Sequence, residues 1–169
     1  EGKIIDFFGG EEDLSNGLLK HIDDETFVED PLRVYRAAQF AARFGFDIDP
    51  STKELASLMD LSNLPIERVN EEFTKMLLKS DTPSIGLNAL YEMGVLGKYF
   101  PEIAVLDETP QRDDYHAEGD VFTHTKMVVD KAANVIKRFP YDKEKITIML
   151  ASLCHDFGKP STTEHHSDG

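Results

Sequence analysis

The sequence has little that could cross-link the chain or place it in a membrane. Its 169 residues include a single cysteine, Cys154, so an internal disulfide is excluded, and this usage fits a reducing, cytoplasmic setting. No uninterrupted apolar run approaches the length of about 18 residues that indicates a membrane span. The chain begins at Glu1 without an initiator methionine and stops at Gly169 after a polar stretch. We therefore expect a piece of a longer protein.

Positive charge is also scarce. There are 18 Lys and Arg residues against 32 Asp and Glu residues, which gives a net charge of -14. Because contacts to phosphates require clustered Lys and Arg, this balance argues against unaided binding to a nucleic-acid backbone. Acidic residues crowd the segment between Asp107 and Asp120, which indicates a connector between two functional parts.

Apolar spacing and turn-forming residues predict a mostly helical chain. The pattern of residues 3–8 is typical of a short strand that ends at Gly9-Gly10, and a helical pattern follows from about Glu11. Since an isolated strand is not stable, we expect the rest of its sheet to lie upstream. A further helix is predicted at residues 31–44, with Asp30 as its N-cap, and others at residues 51–59, 66–79, 83–96, 120–138 and 143–155.

The string Glu29-Asp30-Pro31-Leu32-Arg33 is the first candidate site. Residues three and four apart share a helix face, so its two carboxylates and its guanidinium are predicted to lie together. A guanidinium is a planar donor fork and a carboxylate only accepts, so such a face can hydrogen-bond a base edge. A simpler interpretation has Asp30 as a helix N-cap and a surface ion pair between Glu29 and Arg33, which contributes less than about 1 kcal/mol.

A second candidate site combines His155, Asp156 and Lys159 with His124, which lies 31 residues before His155. Imidazole and carboxylate ligands favour Mn, Fe, Co, Ni or Zn over Ca, and Mg is possible through waters. The predicted helices on either side of Pro140 should pack antiparallel, which would bring the two imidazoles together. The simpler alternative is that His155 and Asp156 cap a helix end.

Three strings in the first half resemble the class II CCA-adding tRNA nucleotidyltransferase and poly(A) polymerase family, in the form that carries a C-terminal HD domain. They occur in that family's order and spacing, at residues 5–14, 29–46 and 67–73. In that family a sheet-bearing head holds the catalytic metals, the motif like Glu29 to Arg33 acts as a template for the incoming base, and the following helices hold RNA.

The resemblance implies roles for five residues. Asp30 and Arg33 would pair with the base edges of ATP or CTP, and Glu29 would orient Arg33. Arg36 and Lys20 would also bind the nucleotide. The implied partners are ATP, CTP and the 3′ end of a tRNA or other RNA, with no membrane.

Two positions depart from the family pattern. Lys20 stands where relatives commonly carry Arg, and it keeps the charge but loses the bidentate fork. Gln39 stands where relatives commonly carry a further Arg, so contacts to the triphosphate or template are in question there. The family's paired catalytic Asp residues, which hold Mg²⁺ for phosphoryl transfer, are expected upstream of Glu1, so this chain alone is not expected to transfer nucleotides.

The second candidate site resembles the HD phosphohydrolase superfamily, whose pattern is a His, then His-Asp, then a distant Asp. The resemblance implies that His124, His155 and Asp156 hold a divalent transition metal and that Lys159 neutralises a phosphate. The distant Asp is expected beyond Gly169.

The expected fold class is all-α, with neck and body helices, partial HD-domain helices and a short N-terminal strand left over from the head. The expected parts are residues 1–28 (end of the head and hinge), 29–108 (neck and body) and 109–169 (start of the HD domain). The expected function is nucleotide addition to RNA 3′ ends. The alternatives are an HD-type phosphohydrolase acting on cyclic phosphates or nucleotides, and a noncatalytic RNA-binding module.

Overall fold

A computed structural model describes residues 5–107, 109 and 119–162. These residues are mostly helical, which confirms the predicted fold class. The helices are α1 (Gly10–Ser15), α2 (Asp24–Glu29), α3 (Leu32–Phe44), α4 (Pro50–Leu58), α5 (Ile66–Lys79), α6 (Pro83–Glu92), α7 (Val95–Tyr99), α8 (Pro101–Ala104), α9 (Val121–Val135), α10 (Asp142–Cys154) and α11 (Lys159–Thr162), with a 3₁₀ turn at Ile136–Arg138.

The strands β1 (Leu18–Leu19) and β2 (Asp47–Ile48) pair in parallel. None of the described helices combines the length and the apolar character that crossing a bilayer requires.

Helix α3 is the centre of the first half of the chain. Its start is fixed by Asp30, whose side chain accepts a hydrogen bond from the Leu32 backbone N–H at 3.2 Å, and its end by Gly45, whose φ of 68° is left-handed. The buried face of α3 packs against α5 and α6. Gly86 of α6 approaches α3 so closely that an added Cβ would lie 2.9 Å from the Ala38 carbonyl oxygen. This contact sets the distance between the two helices.

Helix α9 joins this body to the C-terminal part. It packs against α6 on one side and α10 on the other. Asp130 of α9 accepts hydrogen bonds from the Ser84 backbone N–H at 3.0 Å and from its hydroxyl at 2.6 Å. Ser84 lies in the first turn of α6, so this carboxylate caps α6 from a different helix.

Three details differ from the predicted elements. The described part of the predicted strand, residues 5–8, is not extended pairing chain, because the Asp6 carboxylate accepts hydrogen bonds from Phe8 N and Glu11 N and turns the chain into α1. Lys3 and Ile4 lie outside the described residues. The predicted helix 83–96 is two helices, because Gly94 has a left-handed φ of 69° between α6 and α7.

The third difference concerns the first candidate site. Glu29 ends α2, whereas Arg33 belongs to α3, and Asp30 between them is extended, with φ -123° and ψ 95°. A proline disfavours helical geometry at the residue before it, and Pro31 imposes this break. Glu29, Asp30 and Arg33 therefore do not share one helix face, and that expectation was wrong.

Candidate nucleotide pocket and His-Asp cluster

A pocket of about 380 Å³ opens between residues 19–23, α2, the first half of α3 and Thr52 of α4. Three of the predicted nucleotide-binding residues line it: Lys20, Arg33 and Arg36. Phe27 and Phe40 contribute aromatic rings to the same walls. We call this the cationic pocket.

None of its three cations forms an ion pair with another described residue. Several other described Lys and Arg side chains lie within 4 Å of a carboxylate, among them Lys53, Lys75 and Lys137. Arg33 stands out further, because its Nη1 atom is buried and has no hydrogen-bond partner within the described part of the chain. A buried donor without an acceptor costs about 1–3 kcal/mol, so this atom is suited to an acceptor supplied by a ligand.

The two acidic residues of the motif do not line the pocket. Asp30 places one carboxylate oxygen on the Leu32 N–H and the other 3.5 Å from Nη2 of Arg68. Glu29 is exposed, and within the described residues it makes no ion pair with Arg33. A hydrogen bond from the first residue of α3 to the Asp30 side chain is therefore observed, although Pro31 is the N-cap residue of α3. The alternative of a Glu29–Arg33 surface pair is not observed among the described residues.

Gln39 is only 2% exposed and lies in the packed interior of α3 rather than in the pocket. Its Nε2 atom has no hydrogen-bond partner among the described residues. Gln39 therefore does not line the cationic pocket, and its effect on contacts to a triphosphate or template stays a prediction.

His124, His155 and Asp156 meet as predicted, with one potential ligand atom from each lying within 4.8 Å of the others. We call this group the His-Asp cluster. The ring centroids of His124 and His155 are 5.4 Å apart. The start of α9 thus lies beside the end of α10, which means that the two helices run antiparallel. Whether the cluster holds a metal stays a prediction.

The chemistry of the donors fits a divalent cation. Nδ1 of His155 lies 2.8 Å from the Ser152 carbonyl oxygen, which can only accept, so that nitrogen carries the proton and Nε2 keeps its lone pair. That Nε2 atom lies 3.1 Å from Asp156 Oδ2. Oδ2 is buried and makes no hydrogen bond of good geometry, although Lys159 Nζ lies 2.7 Å away.

Comparison with known proteins decides the family. A sequence model described as "Probable RNA and SrmB- binding site of polymerase A" matches residues 45–106. The "Multifunctional CCA protein" of Pasteurella multocida (strain Pm70) is 41% identical over 177 residues, covering 98% of this chain and 41% of the relative. That of Aliivibrio salmonicida (strain LFI1238) is 43% identical over 171 residues, covering 97% of this chain and 40% of the relative.

The chain belongs to the CCA-adding enzyme family. It spans about two fifths of the length of these curated relatives. Solved CCA-adding enzymes share its fold. An apo form matches with a TM-score of 0.57 at 22% identity, over 94% of this chain and 38% of that one. The Thermotoga maritima CCA-adding enzyme complexed with tRNA matches with a TM-score of 0.53 at 24% identity, over 89% of this chain and 42% of that one.

Within this member of the CCA-adding family, His21 is among the pocket residues that were not predicted from sequence. His21 lines the cationic pocket beside Lys20 and contacts Thr52, 31 positions later in the chain. A lone histidine next to a lysine carries no motif, and its partner is distant in sequence. The parallel pairing of β1 with β2 lies beside this contact and joins the same two segments.

Proposed function

We propose that this chain is the nucleotide-selecting and RNA-holding part of a tRNA nucleotidyltransferase of the CCA-adding type, and that the cationic pocket receives ATP or CTP. The observation that carries the proposal is the convergence of three cations without ionic partners, one of them with a buried unpaired donor, on a chain of net charge -14. An anionic ligand with hydrogen-bond acceptors would satisfy all three.

Each cation suits a different part of the nucleotide. Arg33 offers a planar fork to the acceptors of a base edge. Arg36 lies with its guanidinium carbon 5.9 Å from the centre of the Phe40 ring, which leaves its N–H groups available to a phosphate. Lys20 supplies a point charge of the kind that binds phosphate oxygens.

The roles of Asp30 and Glu29 stay predictions. To pair with a base, the Asp30 carboxylate would have to leave Arg68.

The division into parts follows the same proposal. Residues 1–28 would form the hinge to a catalytic head, residues 29–108 the neck and body, and residues 109–169 the start of an HD domain. The head would supply the Mg²⁺ carboxylates, and the 3′ end of a tRNA would be the second substrate. The single cysteine suits a cytoplasmic location.

Arg33→Lys tests the pocket, because it keeps the charge and removes the fork. By isothermal titration, we expect the affinity for ATP and CTP to fall about 10- to 100-fold, the range for hydrogen bonds to charged groups. The matched control is Arg43→Lys in the same helix, whose guanidinium stacks 5.4 Å from the Phe44 ring and does not line the pocket. Equal affinities of the wild type and Arg33→Lys would sink the proposal. Binding of RNA but of no nucleotide would favour the noncatalytic RNA-binding module.

A second candidate function rests on the His-Asp cluster. We propose that His124, His155 and Asp156 hold a divalent transition metal, with Lys159 placed to neutralise a phosphate once it leaves Asp156. Such a metal would lower the pKa of a bound water for attack on a cyclic phosphate or nucleotide. The fit of the donors, with Nε2 of His155 unprotonated and Oδ2 of Asp156 poorly satisfied, supports this proposal.

Titration with Mn²⁺, Co²⁺ or Zn²⁺ tests the metal proposal without requiring any activity. We expect the wild-type chain to bind one of these ions and the His155→Ala, Asp156→Asn double variant to bind none measurably. Asp142→Asn, an exposed change in the same helix α10, is the control and should bind like the wild type. Equal binding by the wild type and the double variant would overturn the assignment.

A further inference from the structure

The His21 side chain is held by several contacts, although it belongs to no sequence motif. Its side chain is 8% exposed. Nε2 lies 2.7 Å from Asp24 Oδ1, Nδ1 lies 2.7 Å from Thr52 Oγ1, and the backbone N–H donates to the same hydroxyl at 3.1 Å. The ring also packs against Phe27, with centroids 5.5 Å apart.

The proton positions in this group are determined by the partners. A carboxylate only accepts, so in the neutral imidazole Nε2 carries the proton and donates to Asp24. Nδ1 then accepts the hydroxyl proton of Thr52, while a lone pair of that hydroxyl accepts the His21 backbone N–H. Both ring nitrogens are thus occupied, and the imidazole has no hydrogen-bonding atom left for a ligand in the pocket.

We call the hydrogen bonds of His21 with Thr52 and Asp24 the His21 clamp, and they restrict the position of Lys20. The residue before it is fixed because the Leu19 carbonyl accepts a hydrogen bond from Asp49 N at 2.9 Å. The residue after it is fixed by Thr52 through the backbone N–H of His21. Lys20 therefore lies between two hydrogen-bonded neighbours, and its side chain lines the pocket with no carboxylate oxygen of the described residues within 4 Å of Nζ.

We propose that His21 is a positioning residue that, through Thr52 and Asp24, aims Lys20 at the triphosphate of the bound nucleotide. The inference rests on the proposed function of the cationic pocket and adds a division of labour within it. The His21 clamp serves the phosphates, whereas Arg33 serves the base. Neither the family resemblance nor the motif around Arg33 assigns this role.

Thr52→Val tests the clamp, since it keeps the shape of the side chain and removes both hydrogen bonds to His21. We expect the affinity for ATP, measured by NMR titration, to fall roughly threefold to tenfold, the range for one net hydrogen bond. The affinity for adenosine, which lacks phosphates, should stay within twofold. Thr52→Ser restores the hydroxyl and should restore ATP binding.

A double-mutant cycle with Lys20→Met identifies the route of the effect. If His21 acts through Lys20, Thr52→Val should weaken ATP binding no further once Lys20 is replaced. Asp24→Asn, at an exposed position, keeps the Thr52 contact and should produce a smaller loss of the same kind, which provides a test if Thr52→Val folds poorly.

The outcomes separate the two proposals. Equal losses for ATP and adenosine, or an undiminished effect of Thr52→Val in the Lys20→Met background, would overturn the positioning role while leaving the pocket intact. A wild-type chain that binds neither ATP nor adenosine would overturn the proposed function itself, and this inference with it.

Discussion

The three cationic side chains of the pocket have no carboxylate oxygen of the described residues within 4 Å. In the His-Asp cluster, by contrast, Lys159 lies 2.7 Å from Asp156, and both histidines lie within 4 Å of the same carboxylate. The pocket therefore presents three cations alongside the carboxylate of Asp23. In the cluster a cation would have to displace Lys159 from Asp156. Each site nevertheless keeps one buried polar atom without a hydrogen bond of good geometry among the described residues, Nη1 of Arg33 in the pocket and Oδ2 of Asp156 in the cluster.

The two regions also differ in how they are assembled. All of the described residues that line the pocket fall between positions 19 and 52. The cluster depends on α9 packing against α10, and α9 is attached to the body through α6. Because α6 contacts both α3 of the pocket and α9 of the cluster, changes in α6 test whether the two sites form one cooperative unit.

Gly86→Ala should have the largest effect on stability. Its new methyl group would meet Met76 Sδ at 2.3 Å and the Ala38 carbonyl oxygen at 2.9 Å. We expect a loss of about 1–3 kcal/mol in the free energy of unfolding, typical of overpacking, measured by urea denaturation.

Gly97→Ala is the matched control for that change. A Cβ at Gly97 in α7 meets nothing within 4 Å, so this variant should be more stable by up to about 1 kcal/mol, since alanine favours helix. If the Gly86→Ala variant loses ATP binding and metal binding at the same urea concentration, the two sites unfold as one unit. Different urea midpoints for the two losses would show that the sites unfold independently. A Gly86→Ala variant as stable as the wild type would show that α3 and α6 can move apart.

Asp130→Ala should have an intermediate effect, because it removes the cap that α9 provides for α6. We expect a loss of about 1–2 kcal/mol, the usual cost of a missing N-cap, and a greater weakening of Zn²⁺ binding than of ATP binding. Asp81→Ala is the control, since its ion pair with Lys137 is exposed and contributes less than about 1 kcal/mol. Equal effects of the two substitutions would remove the special role of the cap.

The smallest expected effect is on pH dependence near the pocket. The pKa of Asp49 is lowered from its ordinary value of 3.8, first by the hydrogen bond from the Ser51 side chain, with backbone hydrogen bonds and the charge of Lys20 adding to it. A carboxyl group with a lower pKa in the folded state stabilises the fold above pH 3.8, and this contribution is lost as the pH falls through the folded-state value.

We therefore expect Asp49→Asn and Ser51→Ala each to flatten the loss of stability as the pH falls below 3.8. Urea denaturation at several pH values would measure how the free energy of unfolding depends on pH. A slope that neither substitution changes would show that Asp49 does not contribute to acid sensitivity.

The spacing of apolar residues, together with helix-breaking residues, predicted most of the helices. The helix predicted at residues 66–79 was found at those bounds, and α9 and α10 differ from prediction by only a few residues at their ends. Their apolar faces recur at helical spacing, and Pro, Gly and Asp mark their limits. The antiparallel meeting of His124 with His155 followed from the short connection at Pro140 and was also confirmed.

Predictions from local sequence were wrong or incomplete where a distant partner or a single backbone angle determined the placement of a side chain. Pro31 separated Glu29 from Arg33, although their spacing of four suggested one helix face. The burial of Gln39 depended on which side of α3 meets α5 and α6, and the anchoring of His21 depended on Thr52. The sequence by itself determined which residues could bind a base, a phosphate or a metal, because side-chain chemistry is local. Only the tertiary structure decided which of these groups share a pocket and which are left without partners, because burial and pairing depend on segments that are far apart in the chain.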